Sequence, residues 1–171
     1  MKEYSLIIKG QKVAGNGGNF DVLNPATEEV VALCPQASLE QLDEAVVAAQ
    51  ACFETWQYSS HDERKKLLHD IADRIEVNAA ELAQIVVEEQ GKPMFLAQAE
   101  VGGAVAWTRA TADLELPIDI LEENESKRVE IHRKPLGVVG SITPWNWPLM
   151  IAVWHIMPAI RSGNTVVSKP S

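Results

Sequence analysis

The last thirty-five residues, 137–171, constrain the fold more than any other part of the sequence. Residues 137–143 form a nearly continuous run of small and apolar residues, which is typical of a parallel strand buried on both faces. A turn at 144–148 is followed by an apolar helix over 148–161 and by a second strand over 165–168. A strand, a helix and a strand in this order form a βαβ unit with a right-handed connection. The sequence therefore predicts an α/β fold that contains a parallel sheet.

Two polar side chains follow the strands of this unit. Asn146 comes after the first strand, and Lys169 comes at the end of the second. In open α/β sheets, ligands bind at the carboxyl ends of the strands, so these two residues are predicted to lie at one ligand-binding edge. Taken singly, each also has a structural interpretation. Asn146 suits a helix N-cap with Pro148 in the first turn, and Lys169 suits a surface position at a strand end.

An apolar stripe runs along the predicted helix of the unit. It consists of side chains spaced at i, i+3, i+4 and i+7: Trp147, Met150, Ile151 and Trp154. A stripe of this kind usually packs against a core. Because it begins beside the two polar residues, it could equally line an apolar substrate tunnel. Both interpretations stay open at the level of sequence.

The rest of the chain divides into short strands followed by helices. Extended runs are predicted at residues 4–9, 11–14, 20–23 and 29–34. The glycine-rich segment 15–18 predicts a hairpin turn rather than a dinucleotide-binding loop, because no helix follows it. Three helices are predicted to begin at capping boxes, in which Ser38, Ser60 and Asn78 each precede a Gln or Glu by three residues. A fourth helix is predicted over 94–116, and together these helices are expected to form the scaffold.

A single amphipathic strand is predicted between the fourth helix and the βαβ unit. A polar link, 122–126, precedes residues 127–133, in which Val129 and Ile131 alternate with charged side chains. This alternation is typical of a strand with one buried face. Because a lone strand leaves its backbone N–H and C=O groups unpaired, it requires a partner strand from elsewhere in the chain or from another chain.

The charge and composition of the chain argue against several classes of partner. Fifteen Lys and Arg residues against 24 Asp and Glu residues give a formal net charge of −9, which argues against binding to nucleic acid or to an anionic membrane. No apolar stretch approaches the roughly 18 residues of a membrane span, and no signal peptide opens the sequence. Its two cysteines, Cys34 and Cys52, form neither a disulfide framework nor a metal-ligand motif, so we expect a cytoplasmic protein without a metal.

Six motifs carry a resemblance to a known family: GVVGSITPWNWPL at 137–149, PA at 158–159, GNTVV at 163–167, KPS at 169–171, NPATE at 24–28 and GKP at 91–93. In order and spacing they resemble the amino-terminal half of the aldehyde dehydrogenase superfamily. The resemblance extends along nearly the whole chain. It does not depend on a G-x-G-x-x-G motif, which the first βα turn of that family does not use.

The resemblance implies a domain organisation. Residues 1–125 and 137–171 would form an incomplete, Rossmann-like NAD(P)-binding domain of the aldehyde dehydrogenase type, with small N-terminal β-strands and several helices. Residues 126–136 would supply a strand of the oligomerisation (bridging) domain, so the complete protein is expected to be a homo-oligomer, either a dimer or a tetramer. The catalytic domain would be absent from this chain.

The resemblance also implies a reaction. In that family a cysteine thiolate attacks an aldehyde, hydride passes to NAD or NADP, and water hydrolyses the thioester to a carboxylic acid. Asn146 matches the amide that stabilises negative charge on the former carbonyl oxygen. The matching cofactor-binding positions are Ile142, Thr143, Pro144 and Trp145 beside the nicotinamide, Asn146 itself, and Lys169 at the adenosine ribose with Ser171 next to it.

The sequence departs from the family pattern in its catalytic residues. The family's nucleophilic cysteine, its general-base glutamate and its second phosphate-binding turn are missing, and Cys34 and Cys52 lack the context of that nucleophile. We therefore expect the amino-terminal part of a longer NAD(P)-dependent enzyme that acts on a small aldehyde, with the 171-residue chain inactive by itself. Two alternatives stay open. One is a natural short, non-enzymatic homologue that binds nucleotide or associates with full-length subunits, and the other is a helix-rich structural module.

Overall fold

A computed structural model describes residues 2–171 of the protein. These residues form nine β-strands and five α-helices, in this order: β1 (Lys2–Glu3), β2 (Leu6–Ile8), β3 (Gln11–Val13), β4 (Asn19–Leu23), β5 (Val30–Pro35), α1 (Leu39–Trp56), α2 (His61–Val77), α3 (Ala79–Gln90), α4 (Met94–Asp113), β6 (Asp119–Glu123), β7 (Arg128–Ile131), β8 (Val138–Ile142), α5 (Pro148–Arg161) and β9 (Thr165–Lys169). The predicted α/β fold class is confirmed. Within the described residues, no helix is both long and apolar enough to cross a membrane.

The capping boxes predicted for the first two helices are present. In each, the serine hydroxyl accepts a hydrogen bond from a backbone N–H one turn later, and the side chain at that later position accepts one from the serine N–H: Ser38 with Gln41, and Ser60 with Glu63. The box predicted at Asn78 is wrong. Because this residue ends α2 and also precedes α3, its side-chain amide donates backwards to the Arg74 carbonyl oxygen, at 2.7 Å.

Helix α4 is the centre of the scaffold. It packs against α2, α3 and α5, and it buries a face of mostly small residues at helical spacing: Ala97, Glu100, Val101, Ala104, Thr108, Thr111 and Ala112. The core between these helices includes Leu68 and Met157, and the Leu68 side chain is fully buried. α4 ends at Asp113, earlier than the predicted Leu116, because the backbone of Leu114 is already extended.

The parallel strand pair predicted at the end of the chain is confirmed. The register of β8 and β9 runs from Val138 opposite Thr165 to Ile142 opposite Lys169, so both strands end at the same edge. The side-chain oxygen of Asn164 accepts hydrogen bonds from the N–H groups of the two residues that precede β8, at 2.6 and 3.0 Å. These bonds fix the start of β8 beside the start of β9.

The middle and the C-terminal end of α5 are anchored to neighbouring elements. The Ser141 hydroxyl of β8 is hydrogen-bonded to Nδ1 of His155, at 3.2 Å. The buried Arg161 side chain donates to the carbonyl oxygens of Ala112 and Leu114, at 3.0 and 2.7 Å, and so attaches the last turn of α5 to the end of α4. The position of α5 is therefore set by both the sheet and the helical scaffold.

The first five strands form two separate sheets. β5 pairs with β1 and with β4, whereas β2 pairs only with β3 among the described residues. The hairpin turn predicted at 15–18 is wrong, because this segment carries the chain from the second sheet to the first. The segment is held by Gln36, whose N–H donates to the Gly18 carbonyl at 2.8 Å and whose carbonyl accepts from the Gly17 N–H at 2.9 Å.

The strand predicted at 127–133 is β7, and its partner comes from the preceding segment of the same chain. β6 runs antiparallel to it, with Asp119 opposite Ile131. The polar link is shorter than predicted, because part of it belongs to β6. The sequence pattern does not show β6, since only two of its five residues are apolar. The assignment of 126–136 to an oligomerisation domain stays a prediction.

Candidate functional site

The carboxyl ends of β8 and β9 bring several predicted site residues to one edge. Ile142 lies opposite Lys169, and the Thr143 N–H donates to the Lys169 carbonyl oxygen at 3.3 Å. Ile142 and Lys169 are exposed, and Ser171, two residues after β9, is exposed as well. The structure thus places residues from two distant parts of the sequence side by side, where a ligand can reach them.

Thr143 carries a buried hydroxyl directly after β8. The residue is 5% exposed, and its Oγ1 has no hydrogen-bond partner among residues 2–171. Leaving a buried polar group unpaired costs about 1–3 kcal/mol, so such a group usually finds its partner in a ligand or in water. This part of the edge therefore suits a ligand with polar groups.

The turn at residues 144–148 leaves Asn146 exposed. Among the described residues, the hydrogen bonds of Asn146 are made by its backbone carbonyl, so its side-chain amide is available to a ligand. The N-cap interpretation of Asn146 is wrong. The N-cap residue of α5 is Trp147, because the helix begins at Pro148, and the Trp147 side chain forms no capping hydrogen bond.

The N-terminus of α5 is capped instead by Glu100, a residue of α4. Its Oε1 accepts hydrogen bonds from the N–H groups of Leu149 and Met150, at 2.9 and 3.2 Å. Its other carboxylate oxygen forms an ion pair with Lys92, and the two side chains are 0% and 8% exposed. An anion is stabilised at a helix N-terminus because the free N–H groups and the helix dipole both favour negative charge.

Gln90, at the end of α3, holds the carbonyl groups of the same turn. Its Nε2 donates to the carbonyl oxygens of Trp145 and Asn146, at 2.6 and 2.9 Å. The next residue, Gly91, has a φ of +74° and ends α3 in the left-handed conformation. A β-carbon at this glycine would lie only 2.8 Å from Pro25, so the chain reversal requires glycine here.

Lys92 has three partners within the site. Besides the Glu100 carboxylate, its Nζ donates to the Asn146 carbonyl oxygen at 2.8 Å and lies 4.0 Å from the centre of the Trp147 ring. A desolvated ammonium group over an indole ring contributes about 2 kcal/mol. The turn that carries Asn146 is therefore bound to the scaffold through both Gln90 and Lys92.

The apolar stripe of α5 packs against α4. Met150 approaches Gly103, where an added β-carbon would lie 3.4 Å from the Met150 sulfur. The rings of Trp154 and Trp107 are 5.6 Å apart between centroids and inclined at 47°. Ile151 is half-buried. Helix packing therefore accounts for the contacts of Met150 and Trp154, and the substrate-tunnel role of the stripe stays a prediction.

Comparison with known proteins identifies the family. Residues 12–171 match the model described as "Aldehyde dehydrogenase family". The chain belongs to the aldehyde dehydrogenase family. Among its relatives, a probable aldehyde dehydrogenase of a Pseudomonas species is 38% identical over 160 residues, which make up 94% of this chain and 32% of that protein.

Solved aldehyde dehydrogenase structures share this fold. A 3,6-anhydro-L-galactose dehydrogenase in complex with NAP (NADP) matches with a TM-score of 0.92 and 31% identity, over 99% of this chain and 36% of that chain. A betaine aldehyde dehydrogenase from Staphylococcus aureus in complex with NAD+ matches with a TM-score of 0.92 and 29% identity, over 98% of this chain and 34% of that chain. The present chain thus spans about a third of the length of the aldehyde dehydrogenases it matches.

No role at this site was predicted from the sequence for three residues that hold the Asn146 turn and the start of α5: Gln90, Lys92 and Glu100. A signal for Glu100 exists in the sequence, because this acid lies between Ala97 and Ala104 on the face of α4 that is buried. A buried carboxylate requires partners, and the helix N-terminus and Lys92 supply them.

Neither cysteine belongs to the β8–β9 edge. Cys34 lies in β5, where burial raises the pKa of its thiol and the charge of Glu89 raises it further, so the thiolate is disfavoured. Cys52 is exposed on α1. Within residues 2–171, no group of His, Cys, Asp or Glu side chains is arranged to hold a metal ion.

Proposed function

We propose that these residues form the cofactor-binding edge and the oxyanion donor of an NAD(P)-dependent aldehyde dehydrogenase. The reaction would oxidise a small aldehyde to a carboxylic acid through a cysteine thioester. The observation that supports the proposal is the hydrogen bonding of Asn146. Its backbone carbonyl is held by Gln90 and Lys92, while its side-chain amide is available beside the ends of β8 and β9.

In this proposal, Asn146 donates an amide N–H to the aldehyde oxygen as negative charge develops there. A donor that is held in place before the reaction needs little reorganisation, and such a donor contributes about 2.7–4 kcal/mol to stabilising the transition state. The side chains that line the approach to this oxygen would be those of the apolar stripe: Trp147, Met150, Ile151 and Trp154.

The β8–β9 edge fits NAD or NADP. Lys169 would donate to the ribose hydroxyls with Ser171 nearby, and the nicotinamide would lie along Ile142, Thr143, Pro144, Trp145 and Asn146. The unpaired Thr143 hydroxyl supports a polar ligand at this position. When bound, the oxidised nicotinamide supplies the electron acceptor of the reaction. The two solved relatives that contain NADP and NAD+ support either cofactor.

The domain organisation and assembly form a further part of the proposal. Residues 1–125 and 137–171 would belong to the NAD(P)-binding domain, and 126–136 to the oligomerisation domain of a cytoplasmic homo-oligomer, a dimer or a tetramer. The β6–β7 hairpin supports this assembly because Ile120, Val129 and Ile131 are 48%, 40% and 41% exposed on it. Exposed apolar side chains on a hairpin suit burial against another subunit.

The 171-residue chain would be inactive by itself, because neither of its thiols lies at the β8–β9 edge and the pKa of the Cys34 thiol is raised.

The test measures NADH or NADPH formation with a panel of small aldehydes, for this chain and for the complete protein that carries it. We expect product only from the complete protein. A complete protein that oxidises no aldehyde would contradict the proposal. A chain that binds NAD+ or NADP+ as a stable, monodisperse species would favour the short, non-enzymatic homologue.

A further inference from the structure

We propose that Gln90, Lys92 and Glu100 are positioning residues for the reaction: they form a turn clamp that holds Asn146 where its amide can meet the substrate oxygen. This inference rests on the proposed function of Asn146. Five hydrogen bonds support it, to the turn itself and to the first turn of α5 that follows it. Three go to the carbonyl oxygens of residues 145–146, and two come from the N–H groups of residues 149–150.

The chemical groups of the clamp suit the positioning of Asn146 better than they suit stabilisation of the fold. Lys92 and Glu100 form a buried ion pair, and such pairs are often no more stabilising than apolar side chains of similar volume. An apolar pair could fill the same buried space equally well. It could not bind both the carbonyl oxygen of Asn146 and the N–H groups of Leu149 and Met150.

The clamp acts on the backbone and leaves the reactive side chain unoccupied. All three bonds to Trp145 and Asn146 end on carbonyl oxygens, so none of them competes for the Asn146 amide. The position of its Cα is thereby restrained, and the amide has only its own side-chain torsions left to adjust. A displacement of about 1 Å at a catalytic group can lower a rate by about 100-fold.

Removing one arm of the clamp should lower turnover without weakening cofactor binding. In the complete protein, Lys92→Met and, separately, Gln90→Met should lower kcat by about 10–100-fold while the Kd for NAD(P) stays unchanged. Gln90→Met leaves the buried ion pair intact, so it tests the clamp even if Lys92→Met fails to fold. Lys65→Met is the matched control, because the ion pair of Lys65 with Asp113 is exposed and distant from the turn in sequence. This control should keep the parental kcat.

A double-mutant cycle separates positioning from general damage to the fold. If the clamp acts through the Asn146 amide, Gln90→Met should have almost no further effect on kcat once Asn146→Ala has removed that amide. An equal fold-loss of kcat in the parent and in the Asn146→Ala background would overturn the inference, because the two side chains would then act independently.

A second measurement does not depend on catalysis. Backbone hydrogen exchange over residues 145–150, measured on the complete protein, should be faster in Lys92→Met and in Gln90→Met than in the parent or in Lys65→Met. Unchanged exchange in both clamp variants would overturn the clamp even if the parent is active. A parent that oxidises no aldehyde, with faster exchange in the variants, would instead refute the proposed function and leave the clamp as a structural feature.

Discussion

Replacing Lys169 with alanine should weaken cofactor binding without changing the stability of the fold. Lys169 is exposed at the end of β9, and its hydrogen bonds within residues 2–171 are made by its backbone. Truncating the side chain therefore removes no internal polar contact. A charge-assisted hydrogen bond to a ribose hydroxyl contributes about 1.5–3 kcal/mol. At about 1.4 kcal/mol for each factor of ten, the Kd for NAD(P) should rise roughly 10–150-fold.

The assay is a calorimetric titration of the complete protein with NAD+ and NADP+, with a thermal melt of the same samples. Lys134→Ala is the matched control, since Lys134 is also exposed but precedes the opposite end of β8. It should leave both the Kd and the Tm unchanged. A Lys169→Ala variant with the parental Kd would refute the assignment and make Lys169 an ordinary surface lysine.

Two further predictions concern the scaffold. Leu68→Ala empties a fully buried position and should lower the free energy of unfolding by about 2–5 kcal/mol, measured by urea denaturation, whereas Leu39→Ala, at a position 77% exposed, should change it little. The pKa of Asp113 is lowered by hydrogen bonds from Lys65 and His69, so its contribution to stability is present above its ordinary pKa of 3.8 and is lost as the pH falls through the lowered value. Asp113→Asn should therefore be less stable than the parent near neutral pH, and this difference should vanish in strong acid; a difference that persists there would contradict this origin.

The parts of the fold that could be predicted from the sequence are those with local signals. A capping box is written in four consecutive residues, so Ser38 and Ser60 identified their helices correctly. The βαβ unit could also be predicted, because its strands consist largely of small and apolar residues and its turns contain Pro and Gly. The adjacency of Ile142 and Lys169 followed from the rule that parallel strands end at one edge.

The contacts that hold the site together could not be predicted, because they are long-range. Glu100 is 49 residues from Leu149, and Lys92 is 54 residues from Asn146, so no local pattern links them. The error at Asn146 has a local cause instead. Asn is a common N-cap residue, but Pro148 begins α5 and the cap therefore falls on Trp147.

The role of Asn146 is tested most directly by the single-turnover rate of reduced-nicotinamide formation in the Asn146→Ala complete protein, measured together with its Tm. The side-chain amide makes no hydrogen bond within residues 2–171, so stability should change by less than about 0.5 kcal/mol. The rate should fall by roughly 10²–10³, which corresponds to about 2.7–4 kcal/mol of lost transition-state stabilisation. Asn146→Asp should be at least as slow, because it places a carboxylate where negative charge develops. An Asn146→Ala protein that melts and turns over like the parent would contradict the oxyanion role.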